Sequence, residues 1–134
     1  MLKDKLVHLL ARRDYSRQEL RERLLKSAGA AEVEEVLSWA DAQKLLRPPQ
    51  DLAKQMAEIL DRKLKGALYI QEYLRSKDLP SPPTNESREK EKALELFQGR
   101  GQRLTKEKFF RFLMSRGFEA QVANEVVREK YRNS

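Results

Sequence analysis

The chain has 134 residues and a formal net charge of +7, from 28 Lys and Arg against 21 Asp and Glu, with no cysteine and one histidine. This composition excludes a disulfide framework, a thiolate metal cluster, a Cys nucleophile and a multi-His metal site. No stretch approaches the roughly 20 apolar residues that a spanning helix needs, and the N-terminus is too polar for a secretory signal, so we expect a soluble, cytoplasmic protein without membrane contact. Five Gly and five Pro leave long runs of Leu, Glu, Lys, Arg and Ala, which favours an all-α fold.

The spacing of apolar residues predicts three helices in the first part of the chain. The first ends near Arg13, and Ser16 with Glu19 has the spacing of a capping box at the start of the second. The third runs from about Ala31 to Lys44. The side chains expected to face the core are Leu2, Leu6, Leu9, Leu10, Leu20, Leu24, Leu25, Val33, Val36, Leu37, Trp39 and Ala40.

Five further helices are predicted after Pro48-Pro49. Asp51 is expected to cap the fourth, and Gly66 to precede the fifth. Residues 81–92 hold no apolar residue besides two prolines, so we expect a linker that becomes the exposed start of the sixth helix. Thr105 should cap the seventh. The apolar residues expected inside are Leu52, Ala53, Met56, Ile59, Leu60, Leu68, Ile70, Tyr73, Leu74, Ala93, Leu94, Leu96, Phe97, Phe109, Phe112, Leu113, Met114, Phe118, Val122, Val126 and Val127.

The helices form an internal repeat. The fifth and seventh helices align without a gap at an offset of 39 residues, and the second and fifth align at an offset of 50. The matched residues at the first offset are Ile70, Leu74, Ser76, Lys77 and Leu79 with Phe109, Leu113, Ser115, Arg116 and Phe118. We therefore predict three tandem three-helix repeats over residues 1–47, 48–83 and 84–134, with about eight helices. The middle repeat is expected to lack its third helix or to shorten it.

Several stretches resemble the bacterial RecX regulatory proteins over nearly the whole chain. Residues 9–24 are similar to the first-repeat signature of that family, and residues 35–39 to its next helix. Leu52-Ala53, Gly66 with the helix that follows it, and the run from Phe112 to Phe118 are similar to later family motifs. The departures are Pro48-Pro49 for an acidic pair, Leu64-Lys65-Gly66 for Gly-Tyr-Gly, and Asp78 for a glycine. They all fall in the middle repeat.

The resemblance implies a curved, elongated array of helical repeats. It also implies a modulator, usually an inhibitor, of the RecA recombinase in DNA repair, homologous recombination and the SOS response. Such a regulator lies in the groove of the RecA filament on single-stranded DNA. There it lowers ATPase, strand-exchange and filament-growth activity, and it performs no chemistry itself.

Basic residues cluster in two parts of the chain. From Arg100 to Arg116 six cations face one carboxylate, and from Arg12 to Lys26 six cations face three. A basic stripe of this kind can neutralise phosphates in a salt-dependent, non-specific way. The alternative is a solvated helix face with i,i+4 ion pairs. The residues predicted to bind nucleic acid or the filament are Arg12, Arg13, Arg17, Arg21, Lys63, Lys65, Arg100, Arg103, Lys106, Lys108, Arg111 and Arg116.

Two functions remain open from the sequence alone. One is regulation of a RecA–DNA filament by a monomer, with single-stranded DNA as an electrostatic partner. The other is non-specific DNA binding by a helical protein without RecA, since the seventh helix holds no Asn or Gln to read an adenine. No phosphate-binding loop, G-x-S-x-G or H-E-x-x-H motif is present, so no catalytic, cofactor or metal residues are predicted. Phe109, Phe112 and Phe118 are expected in the core, whereas Tyr69 is expected to point outward beside Lys65.

Overall fold

The computed structural model describes residues 1–132, and this range is all-helical, which confirms the predicted fold class. No strand occurs in it. The eight α-helices are α1 (Leu2–Arg12), α2 (Arg17–Leu24), α3 (Ala30–Ala42), α4 (Pro49–Arg62), α5 (Ala67–Ser76), α6 (Glu86–Gly99), α7 (Lys106–Ser115) and α8 (Ala120–Lys130). A short 3₁₀ helix, Gly101–Arg103, precedes α7. No helix of this range is both long enough and apolar enough to cross a bilayer.

The helices form three groups, each around a small core. We call α1–α3 the first unit, α4–α5 the second and α6–α8 the third. Leu6, Leu20, Leu24 and Leu37 are buried in the first unit, and a separate cluster around Leu74 fills the second. The largest aromatic cluster lies in the third, where Phe109 and Phe118 are fully buried. Residues 77–85 contain no helix, so the second unit lacks a third one, as the sequence predicted.

The exposed surface agrees with three adjacent small cores. It amounts to 8819 Å², whereas a compact monomer of this mass exposes roughly 7,300 Å². The difference follows from dividing the apolar residues among three units, because each small unit has more surface for its volume.

Equivalent residues begin α2, α5 and α7. The N-cap residues are Ser16, Gly66 and Thr105, which share one position of the repeat. The Ser16 hydroxyl accepts a hydrogen bond from the Glu19 N–H while the Glu19 carboxylate accepts one from the Ser16 N–H, which confirms the capping box. Thr105 likewise accepts from the Lys108 N–H. Only Gly66 has no side chain with which to cap its helix.

The third unit supplies the hydrogen bonds that the start of α5 needs. The Gly66 and Leu68 N–H groups donate to the carbonyl oxygens of Arg116 and Gly117, each at 2.8 Å. The Ala67 N–H donates to the Glu89 carboxylate at 2.7 Å. The first N–H groups of a helix have no acceptor within that helix, so the third unit supplies the acceptors at the start of α5. We call the contact of Gly66 with Gly117 the glycine junction.

Four charged side chains, two of them buried, form a network beside the glycine junction. Lys92 has no exposed surface, and its ammonium lies 2.7 Å from both the Lys65 carbonyl oxygen and an Asp61 carboxylate oxygen. It also pairs with Glu89, so each of its three N–H groups has an acceptor. Arg88 donates to the other Asp61 oxygen at 2.8 Å. The Lys92 network, Asp61, Arg88, Glu89 and Lys92, therefore contains two cations and two carboxylates and is neutral.

Several expectations from the sequence are wrong in detail. Leu25, Ile59, Leu68 and Met114 are exposed, because each lies about 100° or 200° around its helix from a buried neighbour. In addition, Asp51 does not cap α4. The helix begins earlier with Pro49 in its first position, where a missing N–H costs nothing.

The start of α6 is not wholly exposed as predicted. Glu89 and Lys92 are buried and contact residues of the second unit, whereas Glu86, Ser87 and Glu91 of the same helix are exposed.

Candidate nucleic-acid and filament interface

Two basic side chains of α2, those of Arg17 and Arg21, are held in ion pairs within the first unit. The Arg21 guanidinium lies 2.7 Å from Glu34 of α3, and this contact lowers the pKa of the Glu34 carboxyl. Arg17 lies 3.1 Å from Asp41 and 3.7 Å from Glu34. These two arginines therefore pair with two of the carboxylates of α3, Glu34 and Asp41, which reduces the charge they offer to a phosphate.

Arg13 is engaged in the same unit. Its guanidinium lies 3.0 Å from the buried Glu19 carboxylate and 3.7 Å from the centre of the Tyr15 ring. Burial alone would raise the pKa of Glu19, but the Ser16 N–H, Arg13 and Lys77 outweigh it and lower that pKa. Arg12, by contrast, is exposed and makes no ion pair with any residue of the described range. Of the four predicted residues in the first unit, it is the one with an uncompensated charge.

The basic side chains before and along α7 carry no compensating carboxylate. The five residues Arg100, Arg103, Lys106, Lys108 and Arg111 are all exposed, and within residues 1–132 none forms an ion pair. The Thr105 cap fixes the start of α7, so Lys108 and Arg111 lie one turn apart. Arg100 packs its guanidinium 5.5 Å from the Phe112 ring, on the same unit. This part of the surface holds the largest free positive charge among the predicted residues.

A shallow groove runs between α7 and α8 next to these cations. Its polar lining residues are Lys106, Glu107, Arg111 and Asn124, and its apolar ones are Phe110 and Val127. Asn124 was missed by the sequence analysis, which looked for amide side chains on α7 alone. The groove adds a hydrogen-bonding amide that α8 contributes.

The remaining three predicted residues meet where the second and third units join. Arg116 donates to the backbone oxygens of Leu64 at 3.2 Å and Lys63 at 2.6 Å. Lys63 is exposed, and the Lys65 ammonium lies 4.7 Å from the centre of the Tyr69 ring, which confirms the outward direction expected for Tyr69. Carbonyl groups do not cancel the charge of Arg116, so this junction is basic as well.

The Lys92 network was also missed, although it sets the position of these junction residues. Burial alone would raise the pKa of Asp61, but Lys92 and Arg88 outweigh it and lower that pKa. The signal in the sequence was the spacing of Glu89, Lys92 and Ala93, which share a face of α6 with the core. The sequence analysis did not recognise this face, because most of the residues around it are polar.

The fold and these surfaces define a class of protein. The chain is a row of small helical units with exposed, unpaired cations, and residues 1–132 hold no group of side chains that could bind a metal ion. Such a molecule is a helical-repeat protein with a basic surface.

Comparison with known families finds a match in the first unit. Residues 3–39 match the family model of the RecX first three-helix domain, which covers α1, α2 and most of α3. The first unit is therefore similar to the RecX first three-helix domain, and this match supports a RecX family protein. That family is regulatory rather than enzymatic, and the domain suggests a RecX-type regulator of RecA. No curated protein matches the chain.

Proposed function

We propose that the protein is an inhibitor of the RecA recombinase that binds in the groove of the RecA–DNA filament. There it lowers ATP hydrolysis, strand exchange and filament growth during homologous recombination, DNA repair and the SOS response in the cytoplasm. The observation that carries this proposal is the match of residues 3–39 to the RecX first three-helix domain.

The distribution of free cations supports a DNA contact within that complex. The predicted basic residues of the first unit are mostly neutralised by carboxylates, whereas those of the third unit and of its junction with the second are not. We therefore assign the DNA contact to the third unit and the junction. The first unit is left for contact with RecA protein; Arg17 and Arg21 pair with Glu34 and Asp41 of its α3.

The alternative is a DNA-binding protein that acts without RecA. The exposed cations from Arg100 to Arg111 favour it, because phosphate neutralisation needs no second protein. The groove with Asn124 adds one amide, which is too little to specify a sequence, so such binding would be non-specific.

Titration of the protein into a RecA ATPase assay on single-stranded DNA separates these functions. Binding to the same DNA without RecA is measured in parallel by fluorescence anisotropy. The proposal expects suppression at well below one regulator per RecA, at concentrations where bare DNA is hardly bound. Suppression that begins only when the DNA is saturated would support the alternative and contradict filament regulation.

Charge reversal tests the assignment of the DNA contact. Replacing Arg103, Lys106 and Arg111 by Glu should weaken binding to single-stranded DNA about tenfold or more at low salt. It should also lower the slope of log affinity against log salt by about 2, at roughly 0.7 for each lost phosphate contact.

The matched control reverses Lys26, Lys54 and Arg62, which are exposed cations of the first and second units. It changes the net charge from +7 to +1, as the first variant does. Circular dichroism confirms that both variants remain helical. Equal losses in the two variants would show that only net charge matters and would remove α7 from the interface.

A further inference from the structure

Of the four tyrosines, Tyr69 is the one whose side chain, within residues 1–132, neither packs in a core nor makes a hydrogen bond. Tyr15 is buried, and Tyr73 packs against the core of the second unit. The Tyr131 hydroxyl lies 3.0 and 2.8 Å from the carbonyl oxygens of Gly101 and Leu104. Tyr69 is 39% exposed, although its ring is large and mostly apolar. An exposed aromatic ring of this kind is available to a ligand.

One cation lies over this ring, and two more belong to the junction beside it. The Lys65 ammonium lies 4.7 Å from the ring centre, at a distance typical of a cation–π contact. Lys63 is exposed nearby in sequence, and Arg116 binds the backbone oxygens of Lys63 and Leu64. No carboxylate within residues 1–132 pairs with any of these three cations. The surface therefore combines an aromatic face with uncompensated positive charge.

The ring is also held in place. Tyr69 lies in the first turn of α5, whose N–H groups are fixed to the third unit by the hydrogen bonds of Gly66, Ala67 and Leu68. A side chain on Gly117 would overlap the backbone of Tyr69, so the two segments are in close contact. A ring on a fixed helix start loses little freedom when a ligand binds.

We propose that Tyr69 is a stacking platform for a base of single-stranded DNA, with Lys63, Lys65 and Arg116 as neighbours for the adjoining phosphates. This inference rests on the DNA contact of the proposed function and adds an aromatic residue to it. Proteins that bind single strands without sequence preference combine these two elements, because every base has a flat face and every nucleotide a phosphate. A base that stacks on Tyr69 takes the place of the Lys65 ammonium, which is then free to pair with a phosphate.

The test compares two labelled strands of about twenty nucleotides, oligodeoxythymidine and an abasic strand of the same length, by anisotropy with the full-length protein. Tyr69→Ala should weaken binding to oligodeoxythymidine about 5- to 100-fold. Tyr69→Phe should keep the affinity within about twofold, because it retains the ring. Leu68→Ala is the matched control, since Leu68 is the exposed neighbour on the same helix, and it should bind like the wild type. On the abasic strand all four proteins should bind alike.

An unchanged affinity of Tyr69→Ala for oligodeoxythymidine would overturn the platform, and so would an equal loss on the abasic strand. Absence of any binding by the wild type would overturn it too. The ATPase titration then separates the two proposals. Suppression of RecA by a protein that binds oligodeoxythymidine equally well with and without the Tyr69 ring would leave the regulator and reject the platform. Circular dichroism of Tyr69→Ala checks that the variant is folded.

Discussion

The two junctions between the helical units are built from different groups. The second and third units meet through backbone hydrogen bonds, through two glycines in contact and through a lysine without exposed surface. The first and second units meet through side chains. Arg47 pairs with Asp14 at 3.1 Å and also contacts Gln55, and Lys77 approaches Glu19 at 3.6 Å. No backbone hydrogen bond joins these two units in the part of the chain that the structure describes.

The two junctions use the same position of the repeat in different ways. Lys77 and Arg116 are equivalent residues, and each reaches back to the preceding unit. Lys77 contacts a carboxylate there, whereas Arg116 contacts two backbone oxygens. A contact between side chains allows the first and second units to move against each other. Hydrogen bonds to backbone oxygens, in contrast, fix the position of the third unit against the second. We therefore expect the second and third units to unfold together and the first unit to move against them.

Among the substitutions at the two junctions, removal of the buried Lys92 charge should lower the free energy of unfolding most. Lys92→Met leaves Glu89 buried without its cation, which should lower the free energy of unfolding by about 3 to 5 kcal/mol. Urea denaturation followed by circular dichroism measures the change. Adding Glu89→Gln to the same chain should recover part of the loss, because the amide oxygen can still accept from the Ala67 N–H.

Lys90→Met is the matched control for the buried charge. Lys90 is two residues away on α6 and pairs with Glu129 at the surface, so its loss should cost below about 1 kcal/mol. Equal losses for Lys90→Met and Lys92→Met would contradict a special role for the buried network.

Adding a methyl group at the glycine junction should have the next largest effect. A Cβ at Gly66 would overlap the backbone of Gly117 and Phe118, which cannot give way as a flexible side chain would. We expect Gly66→Ala to lower the free energy of unfolding by about 3 kcal/mol. Hydrogen exchange should also show faster exchange of the Leu68 N–H, since its bond to Gly117 crosses the junction.

Gly99→Ala is the comparison for that substitution. Nothing lies within 4 Å of a Cβ at Gly99, the last residue of α6, so the change should be neutral or stabilising by up to about 1 kcal/mol. A stability for Gly66→Ala close to that of Gly99→Ala would show that the units can separate without loss.

The smallest effect is expected at the junction of the first and second units. Arg47→Ala removes an ion pair with about half-exposed partners and should cost below about 1 kcal/mol. The loss should shrink further between about 0.02 M and about 0.5 M sodium chloride in urea denaturation, because salt screens exposed charges. Arg75→Ala, which breaks a pair within α5 alone, is the control. A loss for Arg47→Ala as large as that for Lys92→Met would make the two junctions equivalent and contradict the comparison.

The features that could be predicted from the sequence are those that depend on residues close together along the chain. The capping box of Ser16 and Glu19 needs residues three apart, and the cap by Thr105 needs its own helix start, so both could be recognised locally. The absence of a third helix in the second unit was predicted from the difference between the two repeat offsets, 50 and 39 residues. The family resemblance rested on short motifs, and the match of the first unit supports it.

The rest depends on residues that are distant in sequence. The partners of Lys92 include Lys65, 27 residues away, and Arg21 meets Glu34 on another helix. A list of cations therefore could not show which are neutralised. Adjacent apolar residues posed a further problem, because Val126 and Val127 are both buried whereas Leu25 is exposed beside the buried Leu24. The spacing along one helix does not show how wide a face its neighbours cover.

The capping of α5 by the third unit has a consequence for synthesis on the ribosome. The first unit contains its own core and the capping box of α2, so it can fold as soon as α3 has left the exit tunnel. The second unit cannot, because Glu89, Arg116 and Gly117, which complete α5, are translated later. The nascent chain therefore carries a finished first unit and an unfinished second one until nearly all of the third has emerged.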